Sequence, residues 1–341
     1  MKKSKYNVAV IGVGAVGIEM LRVLKQRNFP VGQLRVLARS AREIEVDGKK
    51  YSVEAISPEA FEGIDIALFA GTEGEKGAAV TYAAQAVKRG AVVIDNGADF
   101  RMDPKVPLVV PEVNAGDVKK HKGIIANPNC STIQMVVALW PIYKKVGVKR
   151  IIVTTLQASS GAGKGAVEQL KEETARIAAA GFDNIHVNIE NKAMPQQLAY
   201  NVFPHIGSFV EADYTNEEWK LVCETHKIMH DHKIKISATT VRVPVRTGHS
   251  ESIYIETAKA ISPDKARELL KKSPGIVVMD EPAKNIYPMP KDAEGKDETF
   301  VGRIRQDCFV KKGLWLWVVA DNLRKGAATN AIQIAECVIS N

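Results

Sequence analysis

Hydrophobic and polar residues follow two different periods along this chain, and the changes of period predict its elements. Near the start, Val8 to Ile11 form an apolar run that leads directly into the glycine-rich stretch "GVGAVG". After it, Met20, Leu21 and Leu24 recur at the spacing of one helical face, and "LRVLA" predicts a second strand. The pattern therefore predicts a strand, a glycine turn, a helix and another strand in succession.

The same alternation continues for about 130 residues. "DIALFA" and "AVVIDN" are typical of buried strands, and "GAAVTYAAQAVKRG" between them predicts a helix that ends at a glycine. Strands that alternate with helices indicate a parallel sheet with a crevice at the carboxyl ends of its strands. We therefore expect a first domain over residues 1–129.

Longer, half-buried strands are predicted in the rest of the chain. They are "RIIVTTLQAS", "KISATTVRVPV", "SESIYIETA" and "GLWLWVVAD", with helices near Gly165 to Ala180 and Glu217 to His230. The last segment, "GAATNAIQIAECVI", is amphipathic at helical spacing. These patterns predict an α/β protein whose second domain, residues 130–322, has a mixed sheet, and whose C-terminal helix, 323–341, completes the first domain.

Composition excludes several classes of protein. The chain has 341 residues, 45% of them hydrophobic, and no stretch approaches the roughly 18 consecutive apolar residues of a membrane span. Its net charge of +8 is dispersed, which disfavours nucleic acid and suits small phosphorylated ligands. "MKKSKYNVAVIGVGAVG" imitates a signal peptide, but a strand and glycine turn explain it better. The four cysteines form no regular pattern, so we expect a cytoplasmic protein without disulfides or zinc.

The glycine turn fits a dinucleotide. Gly12 permits a tight turn, Gly14 lets the backbone approach a pyrophosphate, and Gly17 lets helix pack on strand. The N–H groups at the start of the helix would bind the anion. A plain strand-to-helix turn is the alternative.

The end of the second strand bears on which dinucleotide binds. An NAD-binding protein usually places an acid there, whereas this chain has Arg39, Ser40 and Arg42 before the first acid, Glu43. A cation would pair with a 2′-phosphate, so NADP is favoured over NAD. Either arginine could instead be a solvated surface residue, and the sequence does not decide between the two.

Cys130 lies between a proline turn and an apolar helix in "NPNCSTIQMVVALW". A thiol at a helix N-terminus has its thiolate stabilised by the dipole and the N–H groups, which prepares it for nucleophilic attack. A buried structural cysteine is the alternative, and local sequence leaves the two open.

A second cluster, "TTVRVPVRTGHSES", carries Arg242 and His249. Histidine is the usual acid/base partner in thioester chemistry, and arginine can hold a carboxylate by two hydrogen bonds.

Two other patterns are weaker. "SSGAGKGA" departs from a P-loop and suits a glycine-rich loop near a cofactor, and the pair His226 and His230 has no nearby third ligand, so no metal site is expected.

Together these motifs resemble a known family. "GAVG", "NPNCSTIQ", "LQASSGAGKGA", "RVPVRTGHSESIYIET", "FVGRIRQD" and "DNLRKGAATNAIQIAE" closely resemble bacterial aspartate-semialdehyde dehydrogenase over nearly the whole chain. The resemblance implies a Rossmann-type NADP-binding domain joined to an α+β catalytic and dimerisation domain, as in glyceraldehyde-3-phosphate dehydrogenase. It also implies NADPH-dependent conversion of L-aspartyl 4-phosphate to L-aspartate 4-semialdehyde and phosphate, in lysine, threonine, methionine and diaminopimelate biosynthesis. The expected assembly is a homodimer, with a tetramer as the alternative.

The resemblance also assigns catalytic roles. Cys130 would form the acyl-enzyme, His249 would be the acid/base, and Gln157 would contact the substrate near the thioester. The implied substrate-binding residues are Arg242 for the carboxylate, Glu217 for the amino group, Lys220 and Arg101 for the phosphate, and Asn129. The implied cofactor-binding residues are Gly12, Val13, Gly14, Ala15, Val16, Gly17, Arg39, Ser40, Ser160, Gly161 and Asn322.

Three segments depart from the family pattern. "FAGTEGEKG" replaces a serine-rich turn, "ARSARE" shortens the segment of the 2′-phosphate site, and "DNGADFR" resembles N-acetyl-glutamyl-phosphate reductase. A reductase for that or another acyl phosphate or thioester is therefore the alternative enzyme. A cofactor-binding regulator with a decayed site is the alternative outside enzymes, and the presence of Cys130 and His249 argues against it.

Overall fold

The computed structural model describes residues 3–71, 77–190 and 192–340 and forms two compact units. The first unit comprises residues 1–129 and 326–341, and the second comprises residues 130–325. The short stretch 323–325, which the sequence assigned to the C-terminal helix, falls in the second unit.

The first unit is built on a seven-stranded sheet. Its strands are β1 (Tyr6–Ile11), β2 (Val31–Ala38), β3 (Arg42–Val46), β4 (Lys49–Ala55), β5 (Ile66–Phe69), β6 (Val92–Asp95) and β7 (Ile124–Ala126). Its helices are α1 (Ala15–Gln26), α2 (Ala78–Lys88), α3 (Pro111–Asn114) and α9 (Thr329–Ser340). The sheet order is β3-β4-β2-β1-β5-β6-β7, parallel apart from β3. The chain winds outward in both directions from β1, which is where doubly wound sheets bind ligands.

The second unit is built on a six-stranded mixed sheet. Its strands are β8 (Val148–Gln157), β9 (Lys235–Arg242), β10 (His249–Thr257), β11 (Ile276–Val278), β12 (Thr299–Gln306) and β13 (Gly313–Ala320). Its helices are α4 (Cys130–Val146), α5 (Lys164–Ala179), α6 (Asn216–Met229), α7 (Pro263–Lys271) and α8 (Pro290–Ala293). The order is β11-β12-β13-β10-β8-β9, with β8 parallel to β9 and antiparallel to β10. The predicted fold class, α/β with a mixed second sheet, is confirmed.

Side-chain alternation explains the two faces of this second sheet. Thr155 and Gln157 of β8 are buried on the face that carries α4 and α6, whereas Ile152 points to the opposite face and is 38% exposed. Tyr254 of β10 is the register partner of Ile152, and Trp315 of β13 is the register partner of Tyr254, so the two continue that opposite face across β10 and β13. One face is therefore a packed, partly polar interior, and the other presents a row of large apolar side chains.

Two local predictions were incomplete. The hairpin of β3 and β4 was not predicted, although Asp47 and Gly48 form its turn with φ values of 51° and 76°, in the left-handed region that such turns require. The C-terminal helix begins later than expected, because a π-helical turn, Arg324–Ala328, precedes α9.

Candidate active site

Three polar side chains meet where strands β8, β9 and β10 adjoin. Gln157 ends β8, Arg242 ends β9 as its register partner, and His249 begins β10. They are 2%, 4% and 0% exposed, respectively. Arg242 and His249 are 85 and 92 positions from Gln157 in the chain. They become its neighbours because the strand register sets which side chains share a sheet face.

The backbone defines the protonation of His249. The N–H of Ala158 donates to His249 Nδ1 at 3.1 Å, so Nδ1 carries a lone pair and the proton of the neutral ring is on Nε2. Complete burial and the charge of Arg242 lower the pKa of His249 well below its usual value of 6.5. His249 is therefore a neutral imidazole that offers an N–H at Nε2.

Two neighbours fix the amide of Gln157. Its Oε1 accepts from Thr155 Oγ1 at 3.0 Å, and its Nε2 donates to Glu217 Oε1 at 3.2 Å. Its Nε2 also lies 3.4 Å from His249 Nε2. Since both of these nitrogens carry hydrogen, they form a pair of donors suited to one shared acceptor.

Arg242 is held at one edge of its guanidinium group. Nη1 donates to the carbonyl of Ala158 at 2.5 Å, whereas buried Nε meets no acceptor among the described residues. Burial lowers the pKa of Arg242, while the charges of Glu217 and Cys130 act in the opposite direction. An arginine remains protonated under such shifts, so Arg242 supplies a fixed cation with a free donor edge.

Cys130 is the first residue of α4 and is partly exposed. The thiol is close enough to Arg242 for their charges to interact. A helix N-terminus and a nearby cation both stabilise a thiolate. This position suits a reactive thiol, and the nucleophilic role of Cys130 stays a prediction.

Helix α6 brings Glu217 and Lys220 to the same cluster. The helix begins at a capping box in which Thr215 Oγ1 accepts from the N–H of Glu218, while the Glu218 carboxylate accepts from the N–H of Thr215. Glu217 lies in the first turn, and Nζ of Lys220, three residues later, is 3.3 Å from Glu217 Oε2. The cap thus fixes an anion and a cation beside Gln157.

The loop after β8 borders the ring of His249. A Cβ added to Gly161 would lie 3.1 Å from His249 Nε2 and 3.5 Å from Arg242 Nη1, so glycine leaves this space open. Ser160 and Asn322 are joined by hydrogen bonds of 2.9–3.1 Å, and Asn322 Oδ1 also accepts from the N–H of Gly248. The loop, and the turn before His249, are therefore fixed to each other.

In the first unit the glycine turn has the geometry that a dinucleotide needs. Gly12 has a φ of 100°, and a Cβ at Gly17 would lie 1.9 Å from the carbonyl oxygen of Gly12. Gly14 is the N-cap of α1, and no atom lies within 4 Å of the Cβ position there. Val13, Ala15 and Val16 complete the turn, so the start of α1 faces open space with its N–H donors.

The cations after β2 differ in their contacts. Arg42 Nη1 donates to Oγ of Ser40 at 3.2 Å and to its carbonyl at 3.3 Å. Arg39 follows β2 directly, is exposed, and makes no hydrogen bond or ion pair with the residues that the structure describes. Arg39 is therefore the cation available to a ligand at the end of β2.

Arg101 is held by carbonyl groups that follow β6 and β7. Its Nε donates to the carbonyl of Asn127 at 3.0 Å and its Nη2 to that of Asn96 at 2.7 Å. Asn127 Nδ2 in turn donates to Asn96 Oδ1, and Asn330 of α9 donates to Asn127 Oδ1 at 2.7 Å. Asn129, two residues after Asn127, is 6% exposed.

Several supporting residues were missed in the sequence. Thr155 lies two positions before Gln157, the spacing of one strand face, and that spacing was the available signal. Asn96 and Asn127 carried no signal, because their partners come from different strands and from the distant helix α9.

Some features lie outside the site or outside the described residues. The atypical loop 70–77 falls largely on 72–76, which are not among the described residues. Within the described ranges, no three or more His, Cys, Asp or Glu side chains are grouped to hold a metal ion. None of the described helices combines the length and the apolarity needed to cross a membrane.

Both units match models of one class of protein. Residues 7–121 match the NAD binding domain of semialdehyde dehydrogenase, and residues 139–325 match its dimerisation domain. The fold and the site thus define a semialdehyde dehydrogenase.

Similar proteins specify the family. The chain is 56% identical to aspartate-semialdehyde dehydrogenase of Aquifex aeolicus, with 98% of each chain covered. It is 43% identical to a solved Vibrio cholerae aspartate semialdehyde dehydrogenase II complexed with ASA, with a TM-score of 0.93 and 99% of each chain covered. The Candida albicans enzyme, solved with NADP, has 26% identity, a TM-score of 0.73 and 98% coverage of each chain. The chain belongs to the aspartate-semialdehyde dehydrogenase family.

Proposed function

We propose that this protein reduces L-aspartyl 4-phosphate to L-aspartate 4-semialdehyde with NADPH, through a thioester on Cys130. The observation that carries this proposal is the convergence, on one buried sheet face, of a cysteine at a helix start, a guanidinium group and the donor pair of Gln157 and His249. These are the groups that acyl transfer to a thiolate requires. The named relatives support the choice of substrate.

The free edge of Arg242 suits the α-carboxylate of the substrate. A carboxylate binds a guanidinium group most strongly through two parallel hydrogen bonds, and Nε of Arg242 is a buried donor without an acceptor among the described residues. In this proposal the substrate supplies that acceptor, and Arg242 orients the substrate relative to Cys130.

Glu217 and Lys220 suit the two ends of the substrate that carry opposite charges. Glu217 is 6% exposed, and its carboxylate would pair with a free ammonium group. An N-acetylated amino group is neutral and would offer Glu217 no cation, so Glu217 favours aspartyl phosphate over N-acetyl-glutamyl phosphate. Lys220, together with Arg101 of the first unit, is proposed to bind the phosphate.

The nucleophile needs no strong base nearby. Because the start of α4 and the charge of Arg242 both favour the anion, Cys130 attacks the acyl carbonyl as a thiolate. Phosphate leaves as the thioester forms, and Lys220 offsets the charge of the departing group. Asn129 precedes the nucleophile and is proposed to contact the substrate beside it.

Gln157 and His249 are proposed to stabilise the oxyanion. Their Nε2 atoms lie 3.4 Å apart, and both donate, so one substrate oxygen can accept from both. A neutral imidazole is a very weak acid, so His249 keeps this proton and stabilises the oxyanion by hydrogen bonding while the tetrahedral intermediate collapses and phosphate leaves with its own oxygen. His249 thus acts first as a donor, which refines the acid/base role implied by the family.

The residues of the first unit fit a nicotinamide dinucleotide. The open space at Gly14 and the N–H groups of α1 suit its pyrophosphate, and Arg39 with Ser40 suits a 2′-phosphate rather than a ribose hydroxyl. Ser160, Gly161 and Asn322 of the second unit are proposed as further contacts. When bound, the cofactor supplies the hydride that reduces the thioester.

The apolar face of the second sheet is proposed to form a homodimer. Ile152 and Trp315 are large side chains on that face, and Arg305 lies over the Trp315 ring at 5.3 Å. An apolar row with an aromatic and arginine is typical of a stable interface. A tetramer stays an alternative. The four cysteines form no disulfide with one another, as expected of a protein in the reducing cytoplasm.

The test is the reverse reaction followed by NADPH absorbance. Aspartate semialdehyde, NADP and phosphate should give NADPH with the native protein and none with Cys130→Ser, which should still bind NADPH. N-acetyl-glutamate semialdehyde should give far less. Equal or greater turnover of the N-acetylated substrate would contradict the proposal, and NADPH formation by Cys130→Ser would remove the thioester from it.

A further inference from the structure

Glu251 is a carboxyl group that the proposed mechanism does not use. It lies two residues after His249 in β10, on the same sheet face, and none of its surface is exposed. Its register partners are Thr155 of β8 and Val318 of β13, and α4 packs over this face. A charged carboxylate in such a place would need a cation or several donors.

The described residues provide neither. No lysine or arginine among them pairs with Glu251, and neither of its carboxyl oxygens has a donor at hydrogen-bond distance and angle. The polar side chain beside it is that of Gln134 of α4, whose amide lowers the pKa of Glu251 by less than burial raises it. Gln134 lies four residues, about one helical turn, after Cys130.

The orientation of Gln134 is set on its other side. Its Nε2 is 3.5 Å from the carbonyl oxygen of His249 and donates to it. Turning the amide over would bring Oε1 against that carbonyl, so Oε1 points away from it and meets no donor among the described residues. Gln134 Oε1 and both carboxyl oxygens of Glu251 are thus buried acceptors without a donor among the described residues, and a proton on Glu251 would supply one.

We propose that Glu251 is a neutral carboxylic acid whose O–H donates to Gln134 Oε1. The resulting chain runs from Glu251 to Gln134 and from Gln134 Nε2 to the carbonyl of His249. It ties the helix that begins at Cys130 to the strand that begins at His249. Glu251 and Gln134 are therefore positioning residues for the nucleophile and the donor.

The surrounding charges are compatible with a neutral Glu251. From β10 the titratable neighbour on this face is His249, which is itself neutral, and α4 contributes Cys130 at its start. β8 contributes Thr155 and Gln157, and β13 contributes Val318 and Ala320, none of which titrates. Arg242 and Glu217 lie further along the same face, at Gln157. Burial raises the pKa of Glu251 well above its usual value of 4.5.

The protonation of Glu251 can be tested without an activity assay. Below the folded-state pKa, folded Glu251 keeps its proton, whereas the unfolded carboxyl loses it above about pH 4.5. Stability therefore falls as pH rises through that window, by about ten-fold in the unfolding constant per pH unit. The Glu251→Gln variant keeps a donor to Gln134 but has no titrating group at this position. Its stability should therefore lack the fall with rising pH. Glu256→Gln, on the same strand and half-exposed, is the matched control.

Two measurements test whether Glu251 is protonated at neutral pH. The infrared carbonyl band of a protonated carboxyl group should be present in the native protein at neutral pH, absent in Glu251→Gln and unchanged in Glu256→Gln. The stability of Glu251→Gln relative to native should increase from pH 5 to pH 8, with no such trend for the control. A missing band or a stability difference that is flat with pH would overturn the proposal.

The positioning role rests on the proposed function and has its own readout. Glu251→Gln should keep kcat/KM within about two-fold, whereas Glu251→Leu should lower kcat by about ten-fold with little change in KM, the pattern of lost transition-state contacts. Equal kcat values in the two variants would refute the positioning role of Glu251.

If native protein fails to turn over aspartate semialdehyde, the infrared and stability results still decide whether Glu251 is neutral. If Glu251→Leu does not fold, Gln134→Leu replaces it, with the same expected loss in kcat.

Discussion

Replacing Thr155 with valine removes a single hydrogen-bond donor from the site. Valine has nearly the shape of threonine, and Thr155 is fully buried, so packing is little changed. Its Oγ1 donates to Gln157 Oε1 at 3.0 Å, and this bond, together with the one from Gln157 Nε2 to Glu217, distinguishes the two ends of the Gln157 amide. Without the bond from Thr155, only the bond to Glu217 opposes an amide that turns over and presents oxygen, instead of N–H, beside His249 Nε2.

The expected size of the effect follows from that bond. A buried hydrogen bond contributes about 0.5–1.5 kcal/mol, so its loss reduces the fraction of correctly oriented Gln157 by up to about ten-fold. Complete loss of an oxyanion donor would cost about 10²–10³-fold in kcat, which is the upper limit. We expect kcat of Thr155→Val to fall about ten-fold, with KM for aspartate semialdehyde nearly unchanged, since Arg242 and Glu217 are intact.

The matched control is Thr154→Val. Thr154 directly precedes Thr155 in β8, points to the opposite face, and makes no side-chain hydrogen bond with the described residues. Steady-state kinetics in the direction of NADPH formation would compare the two variants with the native enzyme. Equal kcat values for Thr155→Val and Thr154→Val would refute the idea that Thr155 orients Gln157, and a selective rise in KM would place Gln157 in ground-state binding instead.

Three further predictions concern charge. Because the pKa of His249 is lowered by burial, its unfolded form gains a proton below about pH 6.5 while the folded form does not, so stability is lost as pH falls. His249→Asn should reduce this loss in melting curves from pH 7 to pH 5, and an unchanged slope would contradict the neutral ring. Glu173→Gln removes a fully buried carboxylate that accepts from two consecutive backbone N–H groups, and should cost about 2–3 kcal/mol in denaturant unfolding. Glu172→Gln, the exposed neighbour, should cost under about 0.5 kcal/mol, and equal costs would contradict this reading. Arg39→Ala should raise KM for NADP by about ten-fold and leave KM for NAD unchanged, and parallel changes for both cofactors would remove Arg39 from the 2′-phosphate site.

Periodicity and turn chemistry made most of the fold predictable. The apolar run of β1 and the spacing of Gly12, Gly14 and Gly17 predicted a strand–turn–helix unit because each feature is local. The β3–β4 hairpin was missed although Asp47-Gly48 is a recognised hairpin turn, since its strands are short, charged and mostly exposed. A pattern of buried positions cannot reveal strands that bury little.

The site was predictable only where a motif names a residue type. Cys130 and His249 could be singled out by their chemistry and their resemblance to a family. Thr155, Asn127 and Glu251 could not, because their importance depends on which atoms of distant elements they meet. Sheet register decides those meetings, and register is fixed by packing of the whole unit.

The structure therefore separates two kinds of residue in the second unit. In the proposed site, Gln157, Arg242 and His249 would present donors to a substrate. Each has one atom fixed by a neighbouring group, namely Thr155 Oγ1, the Ala158 carbonyl and the Ala158 N–H. A donor fixed before the substrate arrives needs no reorganisation when charge develops on the oxyanion, and this is how buried donors lower a barrier. The supporting groups contribute nothing to substrate affinity directly. Their loss should therefore appear in kcat, while changes to Arg242 or Glu217 should appear in KM as well.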